Sequence, residues 1–304
     1  MEAIKETARK IGNLEIKGAR NAALAAVNAI QVFAQQSTAE DKTSFLAELT
    51  QIQQLLFNSR ETEPLMRNAL SYLIGQIQQS SIQKVSELCT LLSVNADKFL
   101  YELDASRNYA AEIGAKCIQH EMTIFTHCHS STATLMLLKA KQDGKNFKVI
   151  CTETRPTLQG RITACKLAEN DIAVTFIVDS ASRAYVSKAD FVIVGADAIT
   201  PNGNVVNKIG TSGLAVLAHD VHKPFYVISE LLKLDTTTHY NEFENIEQRN
   251  PDDIWKDAPQ KINVQNPAFD VTPSRYIHNI ICEKGLIQPQ NVLDITRQFY
   301  PWLF

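Results

Sequence analysis

Thr126-His127-Cys128-His129-Ser130-Ser131-Thr132 gathers a thiol, two imidazoles and four hydroxyls into one short stretch. By residue type, Cys128 is a candidate nucleophile, base or metal ligand. The apolar run Met122–Phe125 precedes the stretch and a helix-like run, Ala133–Lys141, follows it. It therefore reads as a turn between a strand and a helix. Unpaired N–H groups at such a helix start suit a phosphate, and together with nearby cations they favour a thiolate. Three further polar loops follow apolar runs: Glu153-Thr154-Arg155-Pro156, Gly195-Ala196-Asp197-Ala198 and Val206-Asn207-Lys208-Ile209-Gly210-Thr211. Asn207-Lys208 before Gly210-Thr211 looks like an anion clamp. A thiol and a carboxyl group beside such a clamp suit proton shuttling on a sugar phosphate. The thiolate would act as base toward a carbon acid and Asp197 as acid toward an oxygen.

Each residue also has a bland reading. Cys128 fits a small buried filler, Asp197 a turn or cap residue, Lys208 solvated surface and Arg155 an ion-pair partner of Glu153. Metal binding by His127-Cys128-His129 would need a second cluster at ligand spacing, which the sequence lacks. Consecutive strand residues also point to opposite faces, so no metal is expected.

The elements that position these loops follow from periodicity. Residues 1 to about 115 carry helical stripes: Ala22, Ala26, Ala29, Ile30 and Phe33; then Phe45, Leu49, Ile52 and Leu56, with Thr38 and Asp41 as a capping-box variant. Pro64 punctuates the chain, Leu65–Ile77 reads as a third helix, and Val85–Leu92 and Lys98–Gln119 read as two more. Beyond them, short apolar runs at Met122–Phe125, Phe147–Cys151, Ala173–Val178, Phe191–Val194 and Pro224–Ile228 alternate with helical stretches at Ala133–Gln142, Gly160–Glu169 and Thr211–Asp220. Ser180–Ala189 is too short for a full helix. This alternation predicts a doubly wound, mainly parallel α/β sheet. The expected division is a helical domain over 1–118 and a Rossmann-like catalytic and oligomerisation domain over 119–304. Residues 235–268 read as a polar loop, Pro273–Lys284 as the final helix, and the aromatic tail to Phe304 as a packing or subunit-contact segment.

With 304 residues, 45% hydrophobic and 21% charged, the composition is that of a globular protein. A net charge of −3 gives no electrostatic argument for nucleic acid. The polar start MEAIKETARK lacks a signal-peptide core, and no run of about 18 apolar residues would span a membrane. Six cysteines without C-x-x-C spacing read as reduced thiols, so a cytoplasmic location is expected. The G-x-G-x-x-G fingerprint and the Walker P-loop are both absent, and no cofactor is expected.

Ordered along the chain, Ile16-Lys17-Gly18-Ala19, Thr126-His127-Cys128-His129-Ser130, Thr152-Glu153-Thr154-Arg155-Pro156, Gly195-Ala196-Asp197, Asn207-Lys208-Ile209-Gly210-Thr211, Lys223-Pro224-Phe225-Tyr226-Val227 and Pro267-Ala268-Phe269-Asp270-Val271-Thr272-Pro273 resemble one superfamily. It contains ribose-1,5-bisphosphate isomerases, methylthioribose-1-phosphate isomerases and the regulatory subunits of translation initiation factor 2B. The Cys128/Asp197 pair matches the isomerases, and the short first domain looks closest to the bisphosphate isomerases. The resemblance implies conversion of ribose 1,5-bisphosphate to ribulose 1,5-bisphosphate. Cys128 would remove or relay the C2 proton, and Asp197 would protonate the ring oxygen and then exchange protons with the C2 hydroxyl; a hydride shift is the competing route. Implied substrate contacts are Lys17, Gly18, Ala19, Arg20, Arg60, Ser130, Ser131, Arg155, Asn207, Lys208 and Lys233. Lys17 stands where these isomerases usually have Arg, Arg20 where a second glycine is common, and His129 where Asn is common. The resemblance also implies a homo-oligomer, dimer or hexamer, and a nucleotide activator such as AMP. The alternatives it leaves open are a non-catalytic initiation-factor-2B-like subunit that binds initiation factor 2, and a methylthioribose-1-phosphate isomerase.

Overall fold

The first third of the chain is helical because its apolar residues recur every three or four positions. In the computed structural model, which describes residues 1–60, 63–238 and 246–304, it forms α1 (Glu2–Gly12), α2 (Ala19–Gln35), α3 (Lys42–Ser59), α4 (Pro64–Gln79) and α5 (Val85–Ala115). Ala26 and Ile30 of α2, Phe45 and Leu49 of α3, and Leu70 and Leu73 of α4 share one buried core. The N-cap of α3 is Asp41, without Thr38: its carboxylate accepts from the Ser44 N–H at 2.8 Å while the Ser44 hydroxyl accepts from the Asp41 N–H at 3.3 Å. Such caps stabilise by about 1 kcal/mol. The two helices expected over 85–119 are one, since the joining residues Ser93–Asp97 contain no helix breaker and Ala96 packs into the core.

The remaining elements alternate. They are β1 (Thr123–Thr126), α6 (Ser131–Gln142), β2 (Lys148–Thr152), α7 (Gln159–Ala168), β3 (Ala173–Ile177), the short α8 (Ser182–Tyr185), β4 (Phe191–Val194), β5 (Ala198–Ile199), β6 (Val205–Lys208), α9 (Thr211–Asp220), β7 (Phe225–Ile228), α10 (Asp252–Trp255), β8 (Phe269–Thr272), β9 (Asn279–Cys282), β10 (Gly285–Ile287) and α11 (Val292–Phe299). Seven strands form one sheet in the order β10-β9-β7-β4-β1-β2-β3, parallel except for the β9–β10 pair. Alternate residues feed opposite faces. Phe125, Val192, Val194 and Val227 join the core that contains Leu214 of α9, whereas Ile124, Ile193 and Ile228 join the core that contains Met136 of α6 and Ala111 of α5. A small antiparallel sheet, β5-β6-β8, stands beside the main one.

One expected element is wrong. Pro273–Lys284 forms a 3₁₀ turn and the strand β9 instead of a helix. Ile280, Ile281 and Cys282 are buried on both faces of the sheet and pair with β7. Gly285, at φ +121°, turns the chain back into β10. Residues 239–245 of the polar loop expected over 235–268 lie outside the described residues. The aromatic tail packs on its own chain: Trp302 stacks 4.8 Å from Tyr72 of α4 and 6.4 Å from Phe99 of α5. Among the described residues no helix is long and apolar enough to cross a membrane.

Candidate active site

Strand order reverses at β1: the chain runs outward to β2 and β3, then returns to β4 on the other flank of β1. The carboxyl ends of β1 and β4 thus frame the crevice where open α/β sheets bind ligands. Thr126 pairs with Ile193, so Cys128 and Gly195-Ala196-Asp197 leave the sheet side by side. Close approach depends on Gly195, since a Cβ there would fall 2.5 Å from the Ser130 hydroxyl oxygen. Ser130 is the N-cap of α6 and accepts from the Ala133 N–H at 3.2 Å.

The Cys128 backbone is in the left-handed region at φ +69°, as is Thr154 at φ +64°. Such strain costs of order 1–3 kcal/mol per residue and persists only where neighbours hold it. Here the Cys128 N–H donates to the Thr154 hydroxyl at 2.9 Å, and the Thr163 hydroxyl donates to the Cys128 carbonyl at 3.0 Å. That leaves the Thr163 oxygen to accept from His129 Nδ1 at 2.9 Å, which gives His129 a structural task. The thiol points to Gln159, whose amide oxygen accepts from it at 3.5 Å and from Thr157 at 3.1 Å.

His127 ties two loops together. Its Nε2 lies 2.9 Å from the Ile209 carbonyl, which can only accept, so Nε2 carries the proton and Nδ1 accepts from the Thr152 hydroxyl at 2.6 Å. Burial lowers the imidazole pKa, so the ring stays neutral. Gly210, at φ +101°, leaves room for the ring; a Cβ there would stand 3.2 Å from Nε2. Both His127 nitrogens are thereby occupied by protein partners.

Burial also pushes the Cys128 thiol up to about 12, against the opposing pull of Lys208. The thiolate expected from a helix start is therefore disfavoured; with the side chain 8% exposed, desolvation outweighs the cation.

Around this pair lies a cavity of about 590 Å³. Lys17, Gly18, Ala19, Arg20, Arg60, Ser130, Ser131, Asn207, Lys208 and Lys233, the residues expected to contact substrate, all line it with Cys128 and Asp197. Arg155 does not. Its side chain is exposed and reaches the Ile254 carbonyl, while its backbone and that of Thr154 donate to the Asp179 carboxylate at 2.7 and 2.8 Å. Glu153 pairs with Arg161 at 2.5 Å, not with Arg155. Arg20 adds a cation to the rim: it pairs with Asp104 at 2.5 Å, and Arg107 shares the same oxygen at 3.5 Å. Lys233 donates to the Ala196 carbonyl at 2.8 Å and is held from the helical side, where Asn68 of α4 donates to the carbonyls of Leu232 and Leu234.

Polar lining residues that escaped the sequence reading include Gln159, Arg107 and Arg249, whereas Phe269 stood within the Pro267–Pro273 motif without a role. Behind the lining, Glu63 is fully buried 2.8 Å from Arg60, and burial pushes its carboxyl up to about 8. Only Gln159, at the start of a helix after a polar loop, carried a positional signal.

The chain belongs to the initiation factor 2 subunit family, whose model matches residues 15–289. The ribose 1,5-bisphosphate isomerase of Thermococcus kodakarensis is 39% identical to it, covering 99% of this chain and 96% of that protein. Among solved structures, translation initiation factor eIF-2B of Pyrococcus horikoshii OT3 superposes with a TM-score of 0.83 at 29% identity, covering 96% of this chain and 99% of that one. The 5-methylthioribose 1-phosphate isomerase of the same organism gives 0.81 at 29% identity, covering 97% and 87%. Its full-length isomerase relatives make this member of the family an isomerase enzyme.

Proposed function

We propose that this enzyme converts ribose 1,5-bisphosphate to ribulose 1,5-bisphosphate. The observation that carries the reading is two groups of cations in one cavity with Cys128 and Asp197. One group, Arg60, Lys208 and Arg249, gathers around Phe269; the other, Arg20 and Arg107, gathers around Asp104 with Lys17 nearby on the rim. Two dianionic phosphoryl ends require such a division, and the open N–H groups of α2 and α6 add donors. A methylthio group in place of the C5 phosphate would leave Arg20 and Arg107 sharing the single carboxylate of Asp104.

In our reading Cys128 begins as a thiol. Ionising it at pH 7.5 would cost roughly 6 kcal/mol at ~1.36 kcal/mol per pH unit, so it serves better as acid than as base. The thiol protonates the ring oxygen, the C1–O bond breaks, and C1 becomes electrophilic. The hydrogen on C2 moves with its electron pair to C1, while Asp197 takes the C2 hydroxyl proton and the C2 carbonyl forms. Proton return from Asp197 to Cys128 resets the site. This exchanges the acid and base roles first expected for the pair.

Turnover of ribose 1,5-bisphosphate and 5-methylthioribose 1-phosphate, measured side by side, tests the assignment. The bisphosphate should be preferred by at least about a hundredfold in kcat/KM, since a site built for a polar group rejects an analogue lacking it. Equal rates, or preference for the methylthio sugar, would reject it.

A further inference from the structure

Lys208 is 9% exposed and, among the described residues, has no carboxylate within 4 Å. Its ammonium sits over the Phe269 ring, 4.8 Å from the centroid. Arg60 is 6% exposed, stands 5.8 Å from the same centroid, and its Nε and Nη1 make no hydrogen bond of good geometry. Arg249 completes the ring of cations at 5.9 Å. Three cations within 6 Å of one phenyl group repel each other, and cation–π attraction of about 0.5–2 kcal/mol each does not offset that where water is excluded. Among the described residues, the carboxylates paired with this ring are Glu63, 2.8 Å from Arg60, and Glu247, which Arg249 contacts and which lies 3.9 Å from Arg60; Asp197 lines the same cavity without an ion pair to any of the three cations. Because Glu63 holds its proton to about pH 8, it compensates Arg60 poorly at neutral pH. Buried cations left this way call for an anion from outside the chain.

Arg249 is placed there by backbone pairing. Its N–H donates to the Asn266 carbonyl at 2.8 Å, and the Ala268 N–H donates to the Glu247 carbonyl at 2.9 Å, fastening residues 247–249 alongside the start of β8. Lys208 and Phe269 are register partners on β6 and β8. Lys208, Phe269 and Arg249 thus share one backbone-paired unit, which faces Arg60 at the end of α3.

We propose that Arg249 is a specificity-determining residue, which closes a phosphoryl pocket with Arg60 and Lys208 over Phe269. Because the Asp197 N–H donates to the Val206 carbonyl of β6 at 2.9 Å, Lys208 stands beside the reacting residues, and the phosphoryl group held here is the one on C1. The assignment rests on the proposed function only for the identity of the sugar.

Isothermal titration of the full chain with inorganic phosphate tests it without turnover. Phosphate affinity should fall at least about tenfold in Arg249→Met and less in Arg249→Lys, because lysine keeps the charge but not the planar fork. KM for ribose 1,5-bisphosphate should rise by a similar factor in Arg249→Met with kcat within about threefold, a split that a merely structural residue would not give. If the methionine variant does not fold, the lysine variant decides: a loss of at least about threefold supports the pocket. Unchanged phosphate affinity in a folded variant overturns it, as does absence of phosphate binding by the wild type. Phosphate binding that depends on Arg249, in a protein that does not turn over the bisphosphate, would uphold the pocket and reject the proposed function.

Discussion

Three side chains hold Cys128 directly, Thr154 and Thr163 on its backbone and Gln159 on its thiol, and His129 in turn holds Thr163. Burial keeps the thiol protonated, so iodoacetamide at pH 8 should modify the exposed Cys165 at least roughly tenfold faster than Cys128; mass spectrometry showing Cys128 modified first would refute a neutral thiol. Cys128→Ser and Asp197→Asn should each lower kcat about a hundredfold or more, and near-normal turnover in either variant rejects its role. A hydride shift leaves protium on C1 when the reaction runs in D₂O; solvent deuterium there would instead require proton abstraction from C2. Glu63 gives a pH signature. Its raised pKa keeps it neutral below about pH 8 among Arg60, Asp197, Lys233 and Glu247. Above that pH its carboxylate forms beside Arg60 and opposes phosphate binding. KM for the bisphosphate should therefore rise above about pH 8, and Glu63→Gln should remove the step. A flat wild-type profile from pH 7 to about 9.5 would exclude this coupling.

At the scale of elements, the site depends on four strand-end loops kept in register. Those loops were legible because Ile124-Phe125, Val149-Ile150 and Val192-Ile193 are short β-branched or aromatic runs that break into polar residues. What they enclose was legible only in part. Arg249 lies in a polar loop without periodicity, Arg107 on the face of a long helix, and Glu63 immediately before a helix-opening proline. Nothing local tells such side chains which way to face. Pro273–Lys284 was misread because its apolar residues at 277, 280 and 281 fit a helix as well as a strand, and pairing with β7 decided the matter. The lock between His127 and the loop before α9 makes an element-scale prediction. Gly210→Ala must hold φ near +101° with a Cβ 3.2 Å from His127 Nε2, so urea unfolding should show about 1–2 kcal/mol lost stability. Turnover should fall as well; unchanged stability and activity would show that the contact is slack.

Across the whole molecule, the helical third supplies one wall of the pocket and the sheet domain supplies the rest. The turn before α2 brings Lys17 and Gly18, the end of α3 brings Arg60, and α5 brings Arg107, all facing the strand ends that carry Cys128, Asp197 and Lys208. Trp302, packed against α4 and α5, ties the tail to the same helical body, while Phe299 and Phe304 stay exposed. We propose a homo-oligomer, and light scattering at the mass of a single 33.9 kDa chain would count against it. The most direct test of the enzyme's role is to follow purified, folded protein with ribose 1,5-bisphosphate by phosphorus and carbon NMR. Signals of ribulose 1,5-bisphosphate, with both phosphates retained, are the expected result; an unchanged substrate spectrum would contradict it.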